Sequence, residues 1–181
     1  MAKTLKLYDP KRAGRRKCGS CTGCCLTPSL SAPPIKPLCE SCSKVGSGRK
    51  AGCTIYDSRP TGCRAYQCHW LQNGFLETRH RPDKIGIIFD DGQIRQDGFW
   101  EKLGHDLRLP LPPMTAREIW TGAFKRQGHL LKALATELVV ILVRNPSDPT
   151  SELKVLGPNA GVIRRVADAI SQLAKETADN A

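Results

Sequence analysis

The chain has 181 residues, of which 40% are hydrophobic and only 6% aromatic, so its length suits one domain with a mainly aliphatic core. Its longest apolar run, residues 138–143, is far shorter than the roughly 18 apolar residues that are needed to span a bilayer. The basic N-terminus is not followed by the apolar segment of a secretory signal. These features exclude a membrane-spanning helix and predict a soluble protein that stays in the cytoplasm.

The net charge of +11 is concentrated at the N-terminus. Residues 1–17 contain seven basic side chains and one acidic side chain, and they account for +6 of the total. They show neither helical periodicity nor strand alternation, which predicts a flexible basic arm. Such an arm keeps nucleic acid open as a partner, but only through non-specific phosphate contacts.

Cysteine is the residue that most distinguishes this sequence. All nine cysteines lie between positions 18 and 68. Such a density is typical of a disulfide framework or of thiolate coordination of metal. Because the number is odd and a reducing cytosol keeps disulfides open, we favour metal. The predicted ligands are Cys18, Cys21, Cys24, Cys25, Cys39, Cys42, Cys53, Cys63 and Cys68.

The spacing of these cysteines favours convergence on an ion. Residues 18–25 read CGSCTGCC, and residues 39–42 form a further CxxC pair. Two residues between thiolates make a tight turn that points both sulfurs inwards. Adjacent Cys24 and Cys25 point in different directions on an extended backbone, so they are predicted to serve different ions. Two four-ligand sites therefore fit better than one, and one site with spare thiols is the alternative.

The region around the cysteines lacks the means to fold by apolar burial alone. Residues 18–68 are rich in Cys, Gly, Pro and Ser and show no regular apolar pattern. Such a segment buries too little apolar surface to offset its chain entropy, and bound metal would supply the missing stabilisation. We therefore predict a metal-binding region at 18–100, packed as one domain with a C-terminal part at 101–181.

After Cys68 the pattern becomes that of an ordinary α+β protein. Ile85–Phe89 predicts a short strand, followed by a turn at 90–92 that explains the Asp90 and Asp91 pair, with a return strand starting at Ile94. Residues 109–113 form a proline-interrupted loop. Thr115–Glu118 matches a capping box and so predicts the start of a helix. A short strand over 118–121 is equally compatible with this stretch.

The C-terminal part alternates helix and strand. From Gly128 onward, leucines at 130, 131, 134 and 138 recur at helical spacing, and residues 138–144 then predict a buried strand. A turn at 145–149 precedes the partner strand at 153–156. Asn159 is predicted to cap a last helix with an apolar face formed by Val162, Ile163, Val166, Ala169, Ile170 and Leu173. The predicted fold is α+β: a small metal-stabilised Cys-rich loop region packed on short β-strands and C-terminal helices.

The cysteine-rich half resembles a known family. The CxxCxxCC block at 18–25, the pair at 39–42 and the stretch GCTIYDSRPTGCRAYQCHW at 52–70 resemble the cysteine-cluster family described as a zinc- or iron-chelating domain. Residues 81–89 resemble the segment that follows the cluster in that family. The resemblance covers residues 18–100 and implies metal chelation rather than a reaction. A related cluster in flagellin lysine methylases keeps a role in protein modification open.

Three side chains beside the cysteines are candidates for supporting the metal. Arg59 and Arg64 are close to Cys63 in sequence and are predicted to donate hydrogen bonds to metal-bound thiolates. His69 is a further candidate ligand, with a hydrogen-bonded or solvent-facing histidine as the favoured alternative. Thiolate sites suit both zinc and iron or iron–sulfur clusters, and we favour structural zinc.

No Ser/His/Asp triad, phosphate loop or paired carboxylates are found, so the sequence identifies no catalytic residue. The leading hypothesis is a metal-binding protein that acts as a non-enzymatic chelating or structural module, with a protein partner left open. The first alternative is an iron–sulfur enzyme or accessory in protein modification. The second is a nucleic-acid-binding zinc protein that uses the basic arm.

Overall fold

The structure is a computed structural model that describes residues 16–18, 20–25, 45–46, 52–53, 57–58, 66–72, 76–90, 99–143 and 153–179. In chain order its elements are a 3-10 helix at Gly23–Cys25, β1 Val45–Gly46, β2 Gly52–Cys53, α1 His69–Gln72, a 3-10 helix at Thr78–His80, α2 Pro82–Ile85, β3 Ile87–Asp90, α3 Phe99–Asp106, β4 Met114–Glu118, α4 Ala123–Arg126, α5 Gly128–Ala135, β5 Val140–Val143, β6 Leu153–Leu156 and α6 Ala160–Asp179.

Four of the strands form one mixed sheet in the order β3–β4–β5–β6. The pairs β3–β4 and β5–β6 are antiparallel, whereas β4 and β5 are parallel, with Met114 opposite Val140. Parallel neighbours need a crossover connection, and the chain makes it through α4 and α5. Helices and a mixed sheet confirm the α+β prediction. Strands β1 and β2 form a separate two-stranded pair in which Val45 lies opposite Cys53.

The sheet buries apolar side chains on both of its faces. Val140 and Leu142 belong to the larger core, together with three leucines of α5. Val139 and Ile141 alternate with them and pack on the other face against Val166 of α6. Successive residues of a strand point to opposite faces, which explains this division. Each fully buried aliphatic side chain contributes about 1.5–3 kcal/mol.

The strand predicted at Ile85–Phe89 is confirmed, although it begins at Ile87. Ile85 instead ends α2, and Gly86 follows it in the left-handed conformation with φ of 72°. A β-carbon at this position would lie 2.6 Å from the Trp120 ring, so both the backbone angle and the close approach require glycine. Gly86 therefore separates the short helix from the strand.

The helix predicted to start at Thr115 is wrong, because Thr115 lies within β4. The alternative strand is right in type but displaced, since the chain turns after Glu118. The side chains that resemble a capping box bind elsewhere: the Thr115 hydroxyl donates to Asp90, and a Glu118 carboxylate oxygen accepts from the Phe124 N–H at 2.8 Å. Glu118 thus satisfies a donor in the first turn of the next helix, α4.

The C-terminal elements agree with the predictions. Helix α5 and strands β5 and β6 are confirmed, and Asn159 Oδ1 accepts the N–H of Val162 at 2.9 Å as the cap of α6. Helix α3 was not predicted. The return strand at Ile94 and the turn at 145–149 lie outside the described residues. None of the helices within the described ranges is long and apolar enough to cross a bilayer.

Candidate metal-binding pocket

Four cysteines from two distant parts of the sequence line one cavity of about 80 Å³. Three come from the CxxCxxCC block and the fourth is Cys68, and none of the four forms a disulfide. The complete lining is Cys18, Cys21, Cys24, Tyr66, Gln67, Cys68, Trp70, Leu71, Pro82 and Ile88. Sulfur and apolar carbon are therefore the main surfaces that an occupant of this cavity would meet.

The first three cysteines are positioned by a turn and by contact with α2. The Cys21 N–H donates to the Cys18 carbonyl at 2.9 Å, which closes the first CxxC turn. Gly23 then begins the 3-10 helix in close contact with Pro82, where a β-carbon would lie only 2.6 Å from the Pro82 side chain. Glycine at this point lets the cysteine block approach α2.

Cys68 lies directly before α1 and is only 8% exposed. Its carbonyl accepts the N–H groups of Leu71 and Gln72 at 2.8 and 3.1 Å. Burial raises the pKa of its thiol to about 11, and hydrogen bonds from the N–H groups of Leu71 and Trp70 only partly oppose this shift. A buried thiol without a counter-charge holds its proton because the thiolate is poorly solvated there.

Cys21 has a similar environment at the N-terminus of α2. Burial raises the pKa of its thiol, whereas hydrogen bonds from the backbone of Gly23 and Asp83 act in the opposite direction. Nearby, the Arg81 guanidinium binds both carboxylate oxygens of Asp83 at 2.6 and 2.7 Å and the Ser20 hydroxyl at 3.2 Å. The sulfurs of Cys21 and Cys68 thus face the first backbone N–H groups of short helices, and the Arg81 guanidinium lies near Cys21.

The sulfurs are not in a ligating arrangement. Among the residues that the structure describes, no group of three or more His, Cys, Asp or Glu side chains could hold a metal ion. The structure therefore places four predicted ligands at one cavity, but their sulfur atoms are not arranged to coordinate one ion.

The other predicted site residues are distributed differently. Cys24 and Cys25 lie in a 3-10 helix and not on the extended backbone that was predicted for them. Only the backbone is described for Cys25 and for Cys53 in β2. Cys39, Cys42, Cys63, Arg59 and Arg64 lie outside the described residues. His69 is buried in α1 but does not line the cavity.

A buried polar network connects the pocket to the sheet. The Tyr66 hydroxyl, at the pocket wall, donates to Asp90 Oδ2 at 3.1 Å, and the same carboxylate pairs with the Arg117 guanidinium and accepts the Thr115 hydroxyl. Burial raises the pKa of Tyr66 well above 10, and the Asp90 charge adds to the shift. Sequence reasoning assigned Asp90 to a turn; it is instead a buried carboxylate, only 3% exposed, at the end of β3.

Arg16 anchors the chain just before the first cysteine. Its guanidinium donates to the carbonyls of Trp70 and Leu76, the first at 2.6 Å, and lies over the Trp70 ring at 5.0 Å from the centroid. The Trp70 indole N–H in turn donates to the Glu77 carbonyl at 3.1 Å. Arg16 was predicted as part of the basic arm. No local pattern marks it, because its partners lie more than fifty positions along the chain.

Comparison with family models, with curated proteins and with solved structures finds no significant match to this chain. The resemblance to the cysteine-cluster family stays a prediction that rests on the residues quoted for it. The cysteine pocket is therefore the main structural indication of function.

Proposed function

We propose that this protein binds a transition-metal ion, with zinc favoured over iron, through the thiolates of Cys18, Cys21, Cys24 and Cys68. The observation that carries the proposal is the shared cavity: cysteines from two distant segments line it together. Four thiolates are a complete ligand set for tetrahedral zinc and for iron–sulfur clusters. Soft sulfur ligands also select these metals over magnesium or calcium.

The size of the cavity favours an ion over an organic ligand. Its volume of about 80 Å³ is well below the roughly 300 Å³ at which small-molecule pockets begin. The sulfurs would have to draw together on binding, since they do not form a ligating group as described. The CxxC turn can make such a movement, because Cys18 and Cys21 are not among the buried core residues.

The surroundings offer partial compensation for the charge of such a site. Four thiolates around a divalent ion carry a formal charge of about −2. Backbone N–H groups of Gly23, Leu71 and Asp83 are directed at the sulfurs, and Arg81 lies beside Cys18 and Cys21. Donors of this kind orient and stabilise metal-bound thiolates. Because the pKa values of Cys21 and Cys68 are raised, metal binding must release protons and will strengthen with rising pH.

The proposal also includes the predicted stabilisation of the Cys-rich loop region by metal. A bound ion would join the cysteine block to α1 and α2 and so stabilise the Cys-rich loop region. Five cysteines, Cys25 among them, remain for a second site, with Arg59, Arg64 and His69 as supporting candidates. We assign the protein a non-enzymatic role as a chelating or structural module, and an iron–sulfur cluster serving protein modification is the alternative.

Metal content and visible absorption of the full chain, purified anaerobically under reducing conditions, test the proposal. We expect one or two equivalents of zinc and a colourless protein. Thiolate-to-iron absorption bands would support the iron–sulfur alternative instead. Less than about one equivalent of any transition metal would contradict the proposal, because a structural site with thiolate ligands is filled at very low free metal.

Paired cysteine variants test which residues share the ion. We expect Cys24→Ser and Cys68→Ser each to lose one equivalent, and the double variant to lose no more than either, because both side chains ligate the same ion. Cys25→Ser is the matched comparison from the neighbouring position: combined with Cys68→Ser it should also remove any second equivalent, because Cys25 is assigned to the second site. Two lost equivalents in the Cys24→Ser/Cys68→Ser variant would show that these residues serve separate ions.

A further inference from the structure

A second concave site lies on the side of the sheet region formed by α4, α5 and the edge of the sheet. It is a groove of about 470 Å³, which is within the range of about 300–1,000 Å³ typical of small-molecule sites. It is lined by Phe124, Lys125, Gly128, Leu131, Lys132, Leu142, Lys154 and Leu156. None of these residues belongs to the cysteine pocket, so the groove is separate from the proposed metal site.

The groove has an apolar floor and a basic rim. Phe124, Leu131 and Leu142 are each less than 10% exposed and form the floor with the half-buried Leu156. Lys125, Lys132 and Lys154 are exposed and come from three different elements: α4, α5 and β6. No carboxylate is among the lining residues, and none of these lysines forms an ion pair with another residue in the described part of the chain.

We propose that this groove binds a small amphipathic carboxylate, a free acid whose apolar chain lies on the floor and whose carboxylate lies among the three lysines. Convergence of three positive charges on one apolar cavity is complementary to a ligand of this kind, because each end meets a matching surface.

Other basic-surface partners fit this groove less well. Its aromatic residue, Phe124, is only 8% exposed and offers no stacking face to nucleic-acid bases. A bilayer would need protruding apolar side chains around the lysines. The exposed large hydrophobic residues in the described part of the chain are Trp120 and Leu153, and neither lines the groove. The alternative without a ligand is that the methylene stems of the lysines cover the apolar floor, and decanoate would then not bind.

Binding of decanoate below its micelle concentration, followed by backbone amide shifts of the isotope-labelled, metal-loaded full chain, tests the proposal. We expect saturable shifts at α4, α5 and β6, with decan-1-ol binding at least tenfold more weakly because it lacks the charge. Equal affinity for decanol, or no saturable shift with decanoate, would overturn the proposal. Binding to phosphatidylglycerol vesicles without binding of free decanoate would also overturn it, in favour of a membrane surface.

Variants separate the groove from general charge effects. Lys125→Glu/Lys132→Glu/Lys154→Glu should weaken decanoate binding at least tenfold. The control Lys102→Glu/Arg164→Glu/Lys175→Glu makes the same change in charge at exposed positions outside the groove and should stay within twofold of the parent. Equal losses in both triple variants would contradict a specific site.

Gly128 offers a way to block the groove without disturbing the fold. A β-carbon at this position meets nothing within 4 Å, and its backbone is helical. Gly128→Phe should therefore abolish decanoate binding while leaving the thermal midpoint and the metal content unchanged. Retained binding in this folded variant would show that the groove is not the site.

Discussion

The cysteine region and the sheet region of this protein achieve burial in different ways. The described residues of the cysteine region, within 16–25 and 66–86, include helical segments of only three or four residues. The sheet region, β3–β6 with α3–α6, contains a helix of 20 residues and nearly all of the most deeply buried side chains. Leu76 is the exception among those less than 2% exposed. Apolar packing can therefore maintain the sheet region, whereas we propose that a bound metal contributes to the stability of the cysteine region.

Removing the proposed metal should produce the largest difference between the two regions. Structural zinc contributes about 10–16 kcal/mol in zinc-finger peptides, so chelation should cost the cysteine region several kcal/mol. Amide hydrogen exchange should then accelerate strongly at Leu71 and Gln72, which donate to Cys68, and little at Leu142 in β5. Equal acceleration in both regions, or none in either, would contradict a local metal-dependent stability.

Breaking the buried ion pair of the sheet region that also holds Tyr66 of the cysteine region should have the next largest effect. Asp90→Ala leaves the Arg117 guanidinium, only 7% exposed, without its carboxylate and removes the acceptor of Tyr66. We expect a loss of about 3–5 kcal/mol in the free energy of unfolding, measured by denaturant titration. Arg79→Ala is the control, because its ion pair with Glu77 is exposed and should be worth less than about 1 kcal/mol. Similar losses in both variants would refute the role of the network.

The stability of the metal-free protein should fall at alkaline pH. Folding raises the pKa of Cys68 from 9.0 to about 11, so between these values the folded state keeps a proton that the unfolded state has released. The stabilisation by the protonated Cys68 thiol is complete below pH 9 and is lost as the pH rises through 11. At about 1.4 kcal/mol per pKa unit, the loss in the free energy of unfolding is about 2–3 kcal/mol.

Denaturant titrations of the metal-free parent and of metal-free Cys68→Ala at pH 8.5 and 11 give the change in unfolding free energy of each protein between the two pH values. The parent should lose more than the variant, and the difference is the contribution of Cys68, because lysines and tyrosines titrate in both proteins. The metal-loaded parent should lack it, because coordination holds the thiolate. An identical pH dependence in parent and variant would show that Cys68 does not titrate as described.

The smallest effect concerns the sheet region alone. Asn159→Ala removes the side-chain acceptor of the Val162 N–H and should lower the free energy of unfolding by about 1 kcal/mol. Asn159→Asp keeps an acceptor and should retain most of the stability. The loss should be the same with and without metal, and a loss confined to the metal-loaded protein would contradict the separation between the regions.

Local patterns were sufficient for much of the sheet region. The leucine spacing of α5, the β-branched run of β5 and the cap of α6 are all properties of neighbouring residues, which is why they could be predicted. The capping-box pattern at Thr115–Glu118 misled because its side chains bind partners in β3 and α4 rather than their own backbone. Helix α3 carries too short an apolar pattern to stand out.

The sequence by itself determined that all nine cysteines are concentrated in residues 18–68 and that an α+β part follows, because both conclusions depend on composition and periodicity. Only the tertiary structure decided that Cys68 joins the cysteine block at one cavity and that Arg117 partners Asp90. The alignment of β3 against β4 places Arg117 opposite Ile88, next to the Asp90–Thr115 pair. Strand register and loop closure bring together residues far apart in sequence, and no local pattern encodes that approach.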